Sequence, residues 1–197
     1  MRQWSLTTVS TNQSAVASAW QTQLRRVLRV AEQLQFQRAP DLQIGFAGDA
    51  RDPASFTAEL KCRAEGVSTP WGSVQSFGLT NRLNQPPASN GWFNTVLQLT
   101  VNNLRRSDET LQHGRLTARW SQSLTSSLPA QVDLDLYLRQ FVTPAGTLQS
   151  GRLTATNILA GHDQWQSDVT LLASNLGSQW GAVQSLRLAG RLTNNWP

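Results

Sequence analysis

An internal repeat constrains this chain more than any other feature of its sequence. Four segments of eleven residues align without gaps, and they begin at Gly72, Glu109, Gly146 and Gly181, which lie 37, 37 and 35 positions apart. The second and third segments, ETLQHGRLTAR and GTLQSGRLTAT, agree at eight of eleven positions. Apolar residues before each segment align at the same offsets. Because each unit of a repeat protein forms the same supersecondary structure, the sequence predicts four copies of one unit.

Each unit is predicted to contain two strands. The segment from Val132 to Leu138 alternates leucines with polar residues, and a period of two indicates a strand with one apolar and one polar face. The aligned eleven-residue segment forms the second strand, where Leu153 and its neighbour Arg152 point to opposite faces. Turn-forming residues separate the two strands, as in Thr143-Pro144-Ala145-Gly146. Each unit therefore predicts an antiparallel hairpin.

Folding the first unit about Pro70 predicts its register. The pairs on one face are Val67 with Val74, Ala64 with Phe77 and Cys62 with Leu79; on the other face Glu59 meets Arg82. The same operation on the last unit places Asp168 opposite Arg191. Apolar pairs on one face and opposite charges on the other favour this register.

The fold class predicted from these units is mainly β. Short connectors between long strands favour an antiparallel meander of eight strands, with a ninth near Leu42 to Ala47. Residues 41–197 are predicted to form this repeat domain, in units of about 55–91, 92–129, 130–164 and 165–197. Eight strands at about 4.8 Å span about 38 Å, whereas a helix is about 10 Å wide. An apolar face this wide must curl into a groove or close into an up-and-down barrel, and we favour the groove.

The N-terminal segment, residues 1–40, is predicted to contain one amphipathic helix. No Pro or Gly interrupts the chain from Gln13 to Phe36, and the helix is expected to end before Pro40. Apolar residues recur at intervals of three and four, at Val16, Trp20, Leu24, Val27, Leu28, Ala31 and Leu34. The favoured interpretation is a helix that covers one end of the apolar face, and the alternative is a helix at a membrane surface.

Few residues are available for catalysis. His113 and His162 are far apart, and Cys62 stands alone on an apolar row, so no metal site, cofactor or disulfide is predicted. Asp133 and Asp135 share a polar face, which the strand alternation explains without an acid–base role. No nucleophile elbow or phosphate loop appears. The sequence therefore predicts a protein that is not an enzyme.

The basic residues form two rows. The chain carries a net charge of +5, and arginine supplies sixteen of its seventeen basic residues. The predicted rows are Arg82, Arg119 and Arg191, and Arg115, Arg152 and Arg187. Surface charge balance is the favoured interpretation, followed by contact with anionic lipid headgroups. Nucleic acid ranks lower because aromatic residues do not alternate with the arginines on that face.

The turn and strand signature around Thr69-Pro70-Trp71-Gly72, followed by VQS-x-x-L, resembles the AsmA-like family of bacterial envelope proteins, which includes TamB- and YhdP-type members. The strand from Pro40 to Ile44 after a helix adds to this resemblance, which extends over residues 34–197. It implies a β-groove that carries lipid acyl chains between membranes without catalytic residues. The implied groove lining is Leu60, Leu97, Leu134, Val169, Leu99, Leu136, Leu171, Leu79, Leu116, Leu153 and Leu188.

The resemblance further implies a periplasmic or cell-envelope location and a role in outer membrane biogenesis. The implied partners are phospholipid or another apolar ligand, with neighbouring repeats or membrane proteins. Headgroups are expected near Arg115, Arg152 and Arg187. This sequence lacks the usual anchoring helix and is short for the family, which favours a fragment of a longer chain. The alternatives are a closed β-barrel with a small apolar ligand, and a structural or interaction module without a ligand.

Overall fold

The computed structural model describes residues 33–49, 52–70, 72–85, 92–123, 129–159 and 164–195, and they contain ten strands and no helix. The strands are β1 (Gln35–Phe36), β2 (Asp41–Asp49), β3 (Asp52–Thr69), β4 (Gly72–Asn84), β5 (Trp92–Arg106), β6 (Glu109–Ser123), β7 (Gln131–Thr143), β8 (Gly146–Leu159), β9 (Gln164–Ser178) and β10 (Gly181–Asn195). The contacts divide the chain into two units, Met1–Gln35 and Phe36–Pro197. Strands β2 to β10 belong to the second unit.

The strands form one antiparallel sheet in the order β1-β3-β4-β5-β6-β7-β8-β9-β10, and β2 pairs with β3 beside β1. Strands β3 to β10 therefore form a meander, as predicted. The sheet is open, because β10 pairs with β9 and, among the described strands, with no other. The alternative of a closed barrel is thus wrong. Closure would require β10 to pair with β1 or β2 at the opposite edge of the sheet.

The predicted helix lies almost entirely outside the described residues. Leu34, which was placed on the predicted helix, is not helical, and Gln35 and Phe36 form β1, next to β3. The backbone N–H of Gln37 donates to the carbonyl oxygen of Gly66 at 2.9 Å. The edge of β3 offers backbone hydrogen-bonding groups to this segment, and Pro40 disfavours helix in the residue before it. The predicted ninth strand near Leu42 to Ala47 is confirmed as β2.

The predicted hairpin register is confirmed. In β3 and β4, Val67 pairs with Val74, Ala64 with Phe77, Cys62 with Leu79 and Glu59 with Arg82. In β9 and β10, Asp168 pairs with Arg191. Both charged pairs form salt bridges, at 2.5 Å between Arg82 Nε and Glu59 Oε1 and at 2.7 Å between Arg191 Nε and Asp168 Oδ1.

A line of left-handed residues crosses the sheet, and we call it the crease. Its members are Gly66, Asn103, Gln140 and Asn175, with φ of 61°, 51°, 50° and 49°. They lie on β3, β5, β7 and β9 at equivalent positions of the four predicted units. Glycine and asparagine tolerate this conformation better than most residues. Neighbouring amides support it, because Asn103 Nδ2 donates to Gln75 Oε1 and Asn175 Nδ2 donates to Gln149 Oε1.

The crease changes which residues share a face of the sheet. A Cβ atom on Gly151 would lie 2.8 Å from Leu148 Cδ2, and one on Gly114 would lie 3.0 Å from Leu111 Cδ2. Leu148 and Gly151 therefore share a face although they are three residues apart, where a regular strand would place them on opposite faces. The two glycines leave space for these leucine side chains.

Candidate functional site

One row of leucines crosses the sheet from edge to edge, and we call it the leucine row. Antiparallel pairing brings seven leucines side by side next to Cys62. Its members, from β3 to β10, are Cys62, Leu79, Leu99, Leu116, Leu136, Leu153, Leu171 and Leu188. Leu42 on β2 pairs with Cys62 and extends the row to the other edge. A continuous strip of apolar side chains, all leucines except Cys62, thus crosses nine strands.

A second apolar row lies beside the leucine row on the same face. It contains Leu60, Asn81, Leu97, Ala118, Leu134, Ala155, Val169 and Gly190. The eleven residues predicted to line a groove are therefore brought together in these two rows. We call the surface that carries them the leucine face.

No second layer packs on the leucine face within the part of the chain that the structure describes. The buried apolar side chains there are few and mostly small, namely Ala64, Val67, Leu111 and Ala118, and no large side chain is completely buried. The middle leucines are half-buried by their neighbours in the sheet. At the two edges, Leu42 and Leu188 are 58% and 54% exposed. A sheet normally buries one face against another element, so this face has the character of a binding surface.

The leucine face carries no charged side chain over most of its length. From the row that contains Ala58 to the row that contains Val67, all its described residues are uncharged. Beyond the crease it remains apolar, with Val74, Leu104, Leu111, Phe141, Leu148, Leu176 and Val183. Uncharged, apolar and part-exposed surface matches a hydrocarbon ligand.

The predicted headgroup residues lie on the opposite face. Arg115, Arg152 and Arg187 occupy one cross-strand row with Tyr137 and Leu172 between them. Each is a direct chain neighbour of a leucine-row residue, so its side chain leaves the other side of the sheet. A lipid lying over the leucine row is thus separated from these guanidinium groups by the sheet itself.

Salt bridges join charged side chains on the face opposite to the leucine face, which we call the polar face. Arg152 donates to both carboxylate oxygens of Asp135, from Nε at 2.9 Å and from Nη2 at 2.8 Å. This hydrogen-bonded pair lowers the pKa of Asp135 and raises the pKa of Arg152. Hydrogen bonds from arginine likewise lower the pKa of Asp168, and those from Lys61 and Arg82 lower the pKa of Glu59. Paired charges suit a solvated surface and account for part of the arginine content.

The Asp135–Arg152 pair predicts a loss of stability in acid. Because the pKa of Asp135 is lower in the folded chain, the pair contributes fully above the unfolded aspartate value of about 3.9. The contribution disappears as the pH falls through the folded pKa. We expect Asp135→Asn to reduce the fall in unfolding free energy between pH 7 and pH 3, measured by urea titration. Asp133→Asn is the matched control, because Asp133 forms no salt bridge with the described residues. Equal slopes for both variants and the parent would contradict the prediction.

Polar and aromatic groups occupy one end of the leucine face. This end, which we call the connector end, lies where the chain passes from one hairpin to the next. Trp120 and Trp165 share the face of the leucines there, with Thr95, Asn157 and Ser167 close by in the cross-strand rows. Ser167 Oγ donates to Asn157 Oδ1 at 2.6 Å. The strand alternation predicts Trp120 on the apolar face, beyond Leu116, and it also places Trp165 there, a residue that was not among the predicted site residues.

His113 and Cys62, the remaining candidates within the described part of the chain, lie on opposite faces of the sheet. His113 lies on the polar face, with Nδ1 2.7 Å from Asn102 Oδ1, and His162 is outside the described residues. Burial raises the pKa of the Cys62 thiol, and the negative charge of the Asp41 carboxylate raises it further. Among the residues that the structure describes, no group of three His, Cys, Asp or Glu side chains is placed to hold a metal ion. Trp180, at the β9–β10 turn, is 82% exposed.

Comparison with known proteins gives no match to a family model, a curated protein or a solved structure. A helix long and apolar enough to cross a membrane does not occur in the described residues.

Proposed function

We propose that this chain is a non-enzymatic lipid-binding domain whose leucine face forms an open groove for acyl chains. The observation that carries the proposal is the uncharged strip of leucines across the whole sheet, without a second layer in the described residues. Acyl chains would replace water along the two apolar rows, and each buried methylene contributes about 0.8 kcal/mol. In this proposal the four hairpin units form one curled sheet.

The biological setting is a further part of the proposal. The resemblance to the AsmA-like family supports lipid transfer in the bacterial envelope and a role in outer membrane biogenesis, with phospholipid as the ligand. An open groove would allow lipids to move from one hairpin to the next, because the leucine row is continuous across the pairs β3–β4 to β9–β10. Longer chains or neighbouring membrane proteins would extend the path.

The position of the arginines does not support the predicted contact between Arg115, Arg152 and Arg187 and lipid headgroups. Arg152 is engaged by Asp135, and all three predicted headgroup arginines lie on the face opposite to the leucines. A role in surface charge balance therefore fits these residues better than contact with a lipid in the groove. Headgroups would instead lie at the ends of the strands, outside the uncharged part of the leucine face.

The proposal is tested by native mass spectrometry of the purified full chain with solvent extraction of bound molecules. We expect several phospholipids per chain in variable number, because an open strip has no fixed capacity. Addition of dioleoyl phosphatidylcholine vesicles to delipidated protein should restore the bound states. A chain that stays free of lipid after this addition would contradict the proposal.

A protein-interaction module is the second candidate, and the exposed outer edge supports it. Strand β10 has no neighbour on its outer side among the described strands, and Val183, Leu188 and Leu192 are exposed along it. Unpaired edges favour association with another strand. A lipid-free chain that forms concentration-dependent assemblies in analytical ultracentrifugation would favour this candidate.

A further inference from the structure

Two buried polar atoms on the leucine face have no hydrogen-bond partner among the described residues. They are the amide oxygen of Asn81 and the indole nitrogen of Trp165. Asn81 lies between Leu60 and Leu97 in the second apolar row, and Trp165 lies at the connector end of β9. Buried donors and acceptors are normally satisfied, so an unsatisfied one suggests a missing partner.

Two polar side chains near Trp165 on the leucine face, those of Asn157 and Ser167, already bond to each other. Asn157 Oδ1 accepts a hydrogen bond from the Ser167 hydroxyl at 2.6 Å, and Asn157 Nδ2 donates one to the carbonyl oxygen of Val132 at 3.3 Å. The indole N–H can only donate, so its partner must be an acceptor. Asn81 and Trp165 lie five strands apart, about 24 Å at the usual spacing, so they would serve different ligand molecules.

The charge pattern limits the chemistry of the acceptor that Trp165 needs. Leu159, which pairs with Trp165, and the described residues of the leucine face in the adjacent rows from Ala58 to Val67 are uncharged, so none of them would balance a buried anion. A neutral acceptor attached to hydrocarbon therefore fits best, and an ester carbonyl between an acyl chain and a headgroup has this character. Tryptophan is suited to such a boundary because its ring is apolar and its N–H is polar.

We propose that the connector end of the leucine face holds the ester region of a glycerolipid, with the Trp165 indole N–H as donor to an ester carbonyl. The inference rests on the proposed lipid-binding function. It orients the bound lipid on the sheet, with its ester group at the connector end. Its acyl chain would run along the strands towards the crease, over Val169 and Leu176. These residues are seven apart, about 23 Å along a strand. One acyl chain is about 15 Å long, half the bilayer core, so this stretch accommodates it.

The test compares two lipids that differ only in this carbonyl. Delipidated full chain is incubated with dioleoyl phosphatidylcholine and its dialkyl ether analogue, and bound lipid is measured by native mass spectrometry in competition. We expect the parent chain to prefer the diester by about twofold to tenfold, the range expected for one neutral hydrogen bond. Trp165→Phe should reduce this preference to about one and leave binding of the ether lipid unchanged.

Trp120→Phe is the matched control, because Trp120 lies on the same face at the same end of the sheet. It should leave the ester preference intact. Equal binding of both lipids by the parent chain, or a preference that survives Trp165→Phe, would overturn the inference and leave the lipid-binding proposal standing. A parent chain that binds neither lipid would overturn both.

Discussion

Replacement of Leu136 by arginine is expected to abolish lipid retention while the sheet stays folded. Leu136 lies in the middle of the leucine row and pairs with Leu116 and Leu153 on the adjacent strands. A guanidinium group there would have to lose its hydration under an acyl chain, and burial of an unpaired charge costs several kcal/mol. We therefore expect lipid affinity to fall at least about 100-fold.

The fold should tolerate this change because Leu136 is only half-buried. An arginine can extend along neighbouring leucines and place its charge in water when no lipid is bound. The expected loss of unfolding free energy is about 2 kcal/mol or less, measured by urea titration of delipidated protein. Leu153→Arg, at the paired position on β8, should behave in the same way.

Thr154→Arg is the matched control for both variants. It introduces the same side chain one residue further along β8, on the polar face and opposite Asp135. We expect this variant to keep its lipid. Normal lipid content in folded Leu136→Arg would contradict the groove, whereas complete unfolding of both leucine variants would identify the leucine row as a closed core and also contradict it.

Gly146→Ala is expected to produce a large loss of stability although it adds only one methyl group. A Cβ atom on Gly146 would lie 2.2 Å from the carbonyl oxygen of Gly177 on β9. Backbone cannot move aside as a flexible side chain can, so the start of β8 would have to separate from β9. We expect a loss of about 3 kcal/mol in unfolding free energy.

Gly190→Ala provides the control for the glycine variant. A Cβ atom on Gly190 has no other atom within 4 Å, so the same methyl group meets open space on β10. Its effect on the unfolding free energy should stay within about 0.5 kcal/mol. Equal stability of the two variants in thermal and urea unfolding would show that the approach of Gly146 to β9 is unimportant.

The register of the first and last hairpins could be predicted because each of them satisfies two independent patterns. In β3 and β4, Val67 opposite Val74 and Glu59 opposite Arg82 place apolar pairs on one face and charges on the other, and a shift by one residue would break both. The alternation of leucines with polar residues likewise predicted one apolar face on each unit. These patterns could not distinguish an open sheet from a closed barrel, because both have one apolar face along every strand.

The left-handed residues of the crease were not predicted, although the spacing of the apolar residues indicates an irregularity at this position. The aligned apolar positions step by two from Leu60 to Cys62 and Ala64, and then by three to Val67. Strict alternation allows only even steps, so the step of three marks an irregular residue between them. The unpartnered atoms of Asn81 and Trp165 could not be predicted, since satisfaction of a polar group depends on tertiary neighbours.

The crease also limits how such a chain can change in length. Each hairpin carries its own left-handed residue, and two of these residues, Asn103 and Asn175, donate to a glutamine of the preceding hairpin. Loss of one residue between the crease and a turn would send the following half-strand to the wrong face and leave adjacent hairpins mismatched. Whole hairpins, in contrast, can be added or removed without disturbing this alignment. The crease therefore favours changes in length by two strands at a time, and each added hairpin would lengthen the apolar path.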